Sequence, residues 1–195
     1  ASCQQSTAQT LDANGWTVLA PSPDSRLIYV SNSGLDTNDG LSPATPKKTI
    51  VAARTLMRTG MPDWMQLKCG DVFVESVDWR YSGASPGREC VLTSYGTGPR
   101  PIIRNNNAWY FHRNENHFHD FAMVGIELDG FTGAQNTSGV GIQILGSTTA
   151  NLTFEDNVIR NFGTNVAFTR FVGTISLQGI RFRRNHVLNG YSFGV

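Results

Sequence analysis

The stretch FHRNENHFHDF places His112, Glu115, His117, His119 and Asp120 within nine residues. On an extended strand, side chains two apart share a face, so His117 and His119 project together and Asp120 or Glu115 can complete a metal's coordination sphere. A wide polar loop accounts for the same residues without a metal, and both readings stand at this level. A second set is acidic: Glu127, Asp129, Glu155 and Asp156. If Met123 aligns with Phe154, Glu127 and Glu155 fall on one lateral face within reach of a calcium ion, although carboxylates on an outer face also serve as plain solubilising charge. A third set is basic: Arg160, Arg170, Arg181, Arg183 and Arg184. Arg181 and Arg183 alternate with apolar Ile180 and Phe182, so both face outward as a fork suited to carboxylates or sulfates. Equally, Arg183 falls directly over Glu155 in the repeat that this part of the chain contains, and can pair with it from one coil to the next.

That repeat is the element that must position these groups. NLTFEDNVIRNFG, starting at residue 151, returns from residue 179 as GIRFRRNHVLNGY. A shift of 28 sets Phe154 over Phe182, Leu152 over Ile180, Asn157 over Asn185, Ile159 over Val187 and Asn161 over Asn189. The apolar and Asn positions recur while the residues between them change. Self-similarity at this period predicts a solenoid, in which each coil buries its apolar side chains only by stacking on its neighbours. Phe154 and Phe182 then lie ring over ring, and Asn157 and Asn185 share a corner where their amides hydrogen-bond along the axis.

Composition agrees. Of 195 residues, 39% are hydrophobic and 16% charged, with 20 Gly and 15 Asn, which suits a β protein with many tight corners. A net charge of +1 gives no field to hold a nucleic acid backbone, and no nucleic-acid motif stands in the chain. No run of 18 apolar residues predicts a transmembrane helix.

Along the chain, residues 1–26 read as an extended arm. Residues 27–65 read as an opening strand (Leu27 to Ser31), a Gly/Asn/Asp loop and a helix. For that helix Thr45 is the expected N-cap, Pro46 the first position, Ile50, Ala53 and Met57 the apolar face, and Gly60 the stop. The loop DTNDG has its Gly one place early for an EF-hand and reads as a turn. From residue 66 to 195 short alternating segments separated by Gly and Asn corners read as solenoid rungs. Asn136-Thr-Ser and Asn151-Leu-Thr are formal glycosylation sequons, although Asn151 begins a rung.

The segment IYVSNSGLDTNDGLSPATPKKTI resembles the start of right-handed parallel β-helix proteins of the pectate lyase-like superfamily, whose YVS-x-x-G-x-D-x-N-x-G loop precedes a Pro-x-K-T-I helix. LKCGDVFVE and SYGTGPRPII resemble two further segments of that family, so the likeness spans residues 28 to 104. It implies an all-β, right-handed parallel β-helix with an N-terminal capping helix. It also implies a secreted or cell-surface protein that binds polysaccharide or cleaves it as a lyase or hydrolase of acidic glycans, or a non-catalytic surface scaffold of the same fold. Arg160, Arg181, Arg183, Glu127 and Glu155 are the candidate glycan-binding residues. His117, His119 and Asp120 are the candidate metal ligands, and calcium is the ion in view for the acidic set of Glu127 and Glu155. The polygalacturonase-type motifs Asn-Thr-Asp, paired Asp, Gly-His-Gly and Arg-Ile-Lys do not stand here. No lysine follows Lys68, so a lyase base of the calcium-dependent type would have to be an arginine.

Cys3, Cys69 and Cys90 are odd in number. Cys69 and Cys90 are separated by about one coil, which predicts a stacked disulfide, with two buried thiols as the alternative. Ala-Ser-Cys resembles the end of a lipoprotein signal, with Cys3 as the tethered residue once Ala1 and Ser2 are removed. NGYSFGV starts a further strand, so the chain is expected to continue as a longer β-helix, or a copy or neighbouring domain to cover its last rung.

Overall fold

The computed structural model describes residues 10–105, 110–113, 118–131, 133, 139–145, 148–169 and 176–191. In chain order its elements are β1 (Leu27–Val30), α1 (Ile50–Arg54), β2 (Trp64–Lys68), β3 (Val72–Phe73), β4 (Asp78–Trp79), β5 (Cys90–Tyr95), β6 (Ile102–Arg104), β7 (Tyr110–Arg113), β8 (Phe118–Val124), β9 (Glu127–Asp129), β10 (Val140–Leu145), β11 (Thr148–Glu155), β12 (Val158–Arg160), β13 (Thr164–Thr169), β14 (Ser176–Arg183) and β15 (His186–Leu188). From β2 onward, every third strand returns to the same sheet. The three sheets run β1-β2-β5-β8-β11-β14, β3-β6-β9-β12-β15 and β4-β7-β10-β13, and all their pairings are parallel. The chain is a parallel β-solenoid with almost no helix, as the repeat predicts.

One inward column runs through the whole first sheet: Ile28, Met65, Leu92, Met123, Phe154 and Phe182 stand level on successive strands. A second, in the next sheet, is Phe73, Ile103, Leu128, Ile159 and Val187. Strand alternation sends these columns into one core, which Phe182 and Val187 edge on the last described coil. The Phe121 and Phe154 rings lie 5.9 Å apart and those of Phe154 and Phe182 6.2 Å. Phe154 is fully buried, whereas Phe182 keeps 38% of its surface exposed.

Corners are made by residues in the left-handed backbone region, stacked like the columns. Gly125, Asp156 and Arg184 form one such row with φ of 74°, 57° and 54°, and a second left-handed row, Asp120, Asn151 and Gly179 with 51°, 53° and 63°, lies inside β8, β11 and β14 and interrupts their alternation. Asp and Asn tolerate this conformation because their short polar side chains bond locally. Asn157 and Asn185 form the expected amide stack, Nδ2 to Oδ1 at 2.9 Å.

Two expectations are corrected. The helix begins at Ile50, with Thr49 as N-cap, its hydroxyl accepting from the Ala52 N–H at 3.1 Å, so Thr45 and Pro46 lie outside it. Lys47 is instead drawn into a bridge beside Val30. Ile50 and Ala53 form its buried face, but the helix stops at Arg54 with Thr55 as C-cap, so Met57 is buried from beyond it and Gly60 is not its stop; Glu75 accepts from the Ile50 and Val51 N–H groups at 3.1 Å each. Second, Cys69 and Cys90 carry free thiols. Trp64 pairs with Val91 and Lys68 with Tyr95, so this coil is longer than the Cys69 to Cys90 interval and the same register carries Cys69 to Gly96. Cys69 therefore meets the far end of β5, its N–H on the Tyr95 carbonyl, about 20 Å along the strand from Cys90 and beyond disulfide reach. Burial, with Asp63 adding to it, pushes the Cys90 thiol pKa well up. Cys3 lies outside the described residues.

Candidate functional site

The left-handed row Asp120–Asn151–Gly179, inside β8, β11 and β14, gathers side chains that the alternation of a regular strand would separate. Asp120 is only 6% exposed, and both its oxygens are engaged. Oδ1 accepts from Asn151 Nδ2 at 2.6 Å, and Oδ2 meets His119 Nδ1 at 2.8 Å. Since Cys90 pairs with Phe121, Glu89 comes level with Asp120 on the preceding coil. Glu89, 5% exposed, lies 3.4 Å from the same Asn151 nitrogen and accepts from the Gly87 N–H at 2.9 Å. Two buried carboxylates thus share one amide nitrogen, Asn151 Nδ2. Arg181 Nη1 completes the row by donating to Asn151 Oδ1 at 2.7 Å.

The backbone around the row is held closely. Gly83 donates to the carbonyls of His119 and Asp120, at 3.2 and 3.1 Å, and a Cβ there would stand 2.5 Å from the Asp120 carbonyl oxygen. Ser82 Oγ accepts from the His119 N–H at 3.3 Å. His119 itself is 39% exposed at its side chain. With Nδ1 against Asp120, its Nε2 is the ring nitrogen left for an outside group. A carboxylate that orients an imidazole in this way sets it up to exchange a proton.

The second sheet carries a ladder of ion pairs. Asp129, 2% exposed, stands between Arg104 on the coil before and Arg160 on the coil after, at 3.0 and 3.3 Å. Arg160 also reaches Glu127 at 2.6 Å. Burial pushes the Asp129 pKa up, but hydrogen bonds from Asn161 and the Phe131 N–H, with Arg160 and Arg104, outweigh it and hold the pKa below its ordinary value.

The third cluster surrounds Glu155, which is 1% exposed. Arg183 stands level with it and bonds it at 3.2 Å, and Arg184 bonds it at 3.3 Å. The remaining cover comes from the N-terminal arm, whose Thr17 N–H donates to Glu155 Oε2 at 3.1 Å.

These placements divide the sequence-predicted residues. Arg183 pairs with Glu155 as the repeat predicts, whereas Arg181 belongs to the Asn151 row. Glu127 and Glu155 are not brought together: Met123 does align with Phe154, but Glu127 comes level with Val158, past Glu155 and on a different sheet. His119 and Asp120 are joined, while Glu115, His117 and Arg170 lie outside the described residues and nothing is described of the His112 side chain. Among the described residues no three His, Cys, Asp or Glu side chains gather as metal ligands. The DTNDG loop is a turn tied to its own chain, with Asp36 Oδ1 accepting from the Lys48 and Thr49 N–H groups and Asp39 Oδ1 from Leu41 N–H and Thr45 Oγ1. Glu89 and the side-chain role of Asn151 were missed. Their only sequence signal is that Asn151, like Asp120, is an Asx residue of the kind that accepts a left-handed backbone.

No protein-family model matches the chain, and no curated protein matches it either. Solved structures do. The GH136 lacto-N-biosidase from Eubacterium ramulus matches with a TM-score of 0.66 as the native protein and 0.65 as its selenomethionine derivative, each at 18% identity over 84% of this chain and 34% of that one. A rhamnogalacturonan lyase matches with a TM-score of 0.50 at 14% identity, over 83% of this chain and 51% of that one. The chain shares its fold with carbohydrate-active enzymes. It spans about a third of the length of the biosidase and about half that of the lyase. At such identities the likeness is one of fold.

Proposed function

We propose that the chain is the glycan-facing β-helix of a secreted or cell-surface protein that binds an acidic polysaccharide and cleaves it by β-elimination. The observation that carries this reading is the His119–Asp120 dyad, set beside Glu89, Asn151 and Arg181 on consecutive coils. Elimination is preferred to hydrolysis because the two carboxylates are buried, whereas the half-exposed imidazole is the group that substrate can touch. His119 Nε2 takes the C5 proton α to a uronate carboxylate, the C4–O4 glycosidic bond breaks as the C4–C5 double bond forms, and the departing O4 is protonated by the imidazolium or by water. Asp120 holds the ring and offsets the charge it acquires, and Arg181 supplies positive charge for the substrate carboxylate. Fold neighbours that act on carbohydrates support the substrate class.

A scaffold without catalysis is the second reading. It is favoured by Arg104, Arg160, Arg183, Glu127, Asp129 and Glu155 all being spent on ion pairs within the solenoid. Incubation with a panel of uronate-containing and neutral glycans, followed by ultraviolet absorbance of unsaturated products and by reducing-end release, separates the two. Elimination is expected to give absorbing products that His119→Ala and Asp120→Asn abolish. Cleavage unchanged by both variants, or no product from any glycan, overturns the elimination reading.

A further inference from the structure

Residues 10–18 turn back on themselves through the Leu11–Thr17 bridge and lie on the outer face of β11 and β14, far along the solenoid from where the arm joins β1. Its contacts are those of an occupant. Arg184 donates to the carbonyls of Gly15 and Asn14 at 2.9 and 2.8 Å, and its guanidinium sits 3.9 Å from the centre of the Trp16 ring. Arg183 Nη2 donates to Thr17 Oγ1, and the Thr17 N–H caps Glu155. The fit is incomplete in two respects. Arg183 and Arg184 both pair with the single carboxylate of Glu155, so the trio keeps a net charge of +1. Arg183 Nε is buried and makes no hydrogen bond. A planar anion engages a guanidinium through two donors at once, which a threonine hydroxyl does not. The arm is held lightly besides, with Leu11, Trp16 and Val18 all more than a third exposed.

We infer that the N-terminal arm is a displaceable strap over an anion-binding face formed by Arg183 and Arg184, and that a carboxylated or sulfated sugar takes its place. The proposed acidic-glycan activity supplies only the choice of ligand; the strap itself rests on the contacts above. While the strap is closed, the apparent affinity is the intrinsic affinity scaled by the open fraction, so loosening the strap tightens binding.

The test uses the full chain with the substitutions Trp16→Ala and Thr17→Pro, which remove the ring over Arg184 and the N–H to Glu155. Binding of oligogalacturonate (carboxylate), a heparin oligosaccharide (sulfate) and a neutral maltooligosaccharide is measured at fixed salt by titration calorimetry. The loosened variant is expected to bind at least one of the anionic probes about 2- to 5-fold tighter than the parent, the range that loss of one exposed cation–π contact supplies. The neutral probe should not respond, and adding Arg183→Ala and Arg184→Ala should remove the gain. In the unaltered chain, the anionic probe should speed proteolysis within residues 10–18. Unchanged or weaker anion binding on loosening, or a gain that survives loss of both arginines, overturns the inference. His119→Ala leaves this binding intact, so failure of the elimination reading and failure of the strap are read separately.

Discussion

Asn157 lies one coil before Asn185 at the same corner, and its side chain answers three backbone or amide groups at once. Its Oδ1 accepts from the Ile126 N–H at 3.0 Å, while Nδ2 donates to the Met123 carbonyl at 3.0 Å and to Asn185 Oδ1 at 2.9 Å. The site is fully buried, so Asn157→Ala strands an N–H and a carbonyl away from water. A loss of about 3 kcal/mol by urea unfolding is expected.

The phenylalanine column predicts a gradient. Phe154→Ala, in full burial, should cost about 3 to 5 kcal/mol, whereas Phe182→Ala should cost about half as much because more than a third of that residue is already exposed. Equal losses in chemical denaturation would mean that the last coil is covered in solution, as a continuing β-helix or a neighbouring chain would cover it.

Acid should act through Asp129. Its pKa is held below the ordinary 3.8, so the stability it confers is present above that value and is lost as pH falls through the lower, folded-state pKa. Asp129→Asn should therefore be less stable than the parent at neutral pH, and the difference should narrow below about pH 4. Melting temperatures measured across the acid range up to neutrality check this, and a constant difference would count against the ion-pair ladder.

The thiols should report their burial. Cys69 is partly exposed and Cys90 fully buried with its pKa raised, so a thiol reagent should label Cys69 in the native protein and Cys90 only on unfolding. Peptide mapping of the unfolded chain without reductant should find both labelled. A Cys69–Cys90 cross-link in that map would contradict the register of β2 and β5.

By itself the sequence determined whatever depends on one coil repeating the next. The same shift holds along the whole of β11 and β14, so Phe154 over Phe182, Asn157 over Asn185 and Glu155 beside Arg183 were all legible in it. Residue identity also determined most of the corners, because Asn, Asp and Gly are the types that accept a left-handed backbone.

Only the tertiary structure decided the rest, because coil length varies while the columns stay level. Along the column from Ile28 to Phe182 the step from Ile28 to Met65 is the longest and that from Met65 to Leu92 the shortest, and periodicity alone does not say which corner absorbs the difference. For that reason Cys69 missed Cys90, Glu127 missed Glu155, and Glu89 arrived unannounced beside Asp120. The seat of the arm was less legible still. Thr17 and Glu155 stand far apart in the chain, and their contact follows from hydrogen-bond capacity left over on the outer face once the coils have stacked.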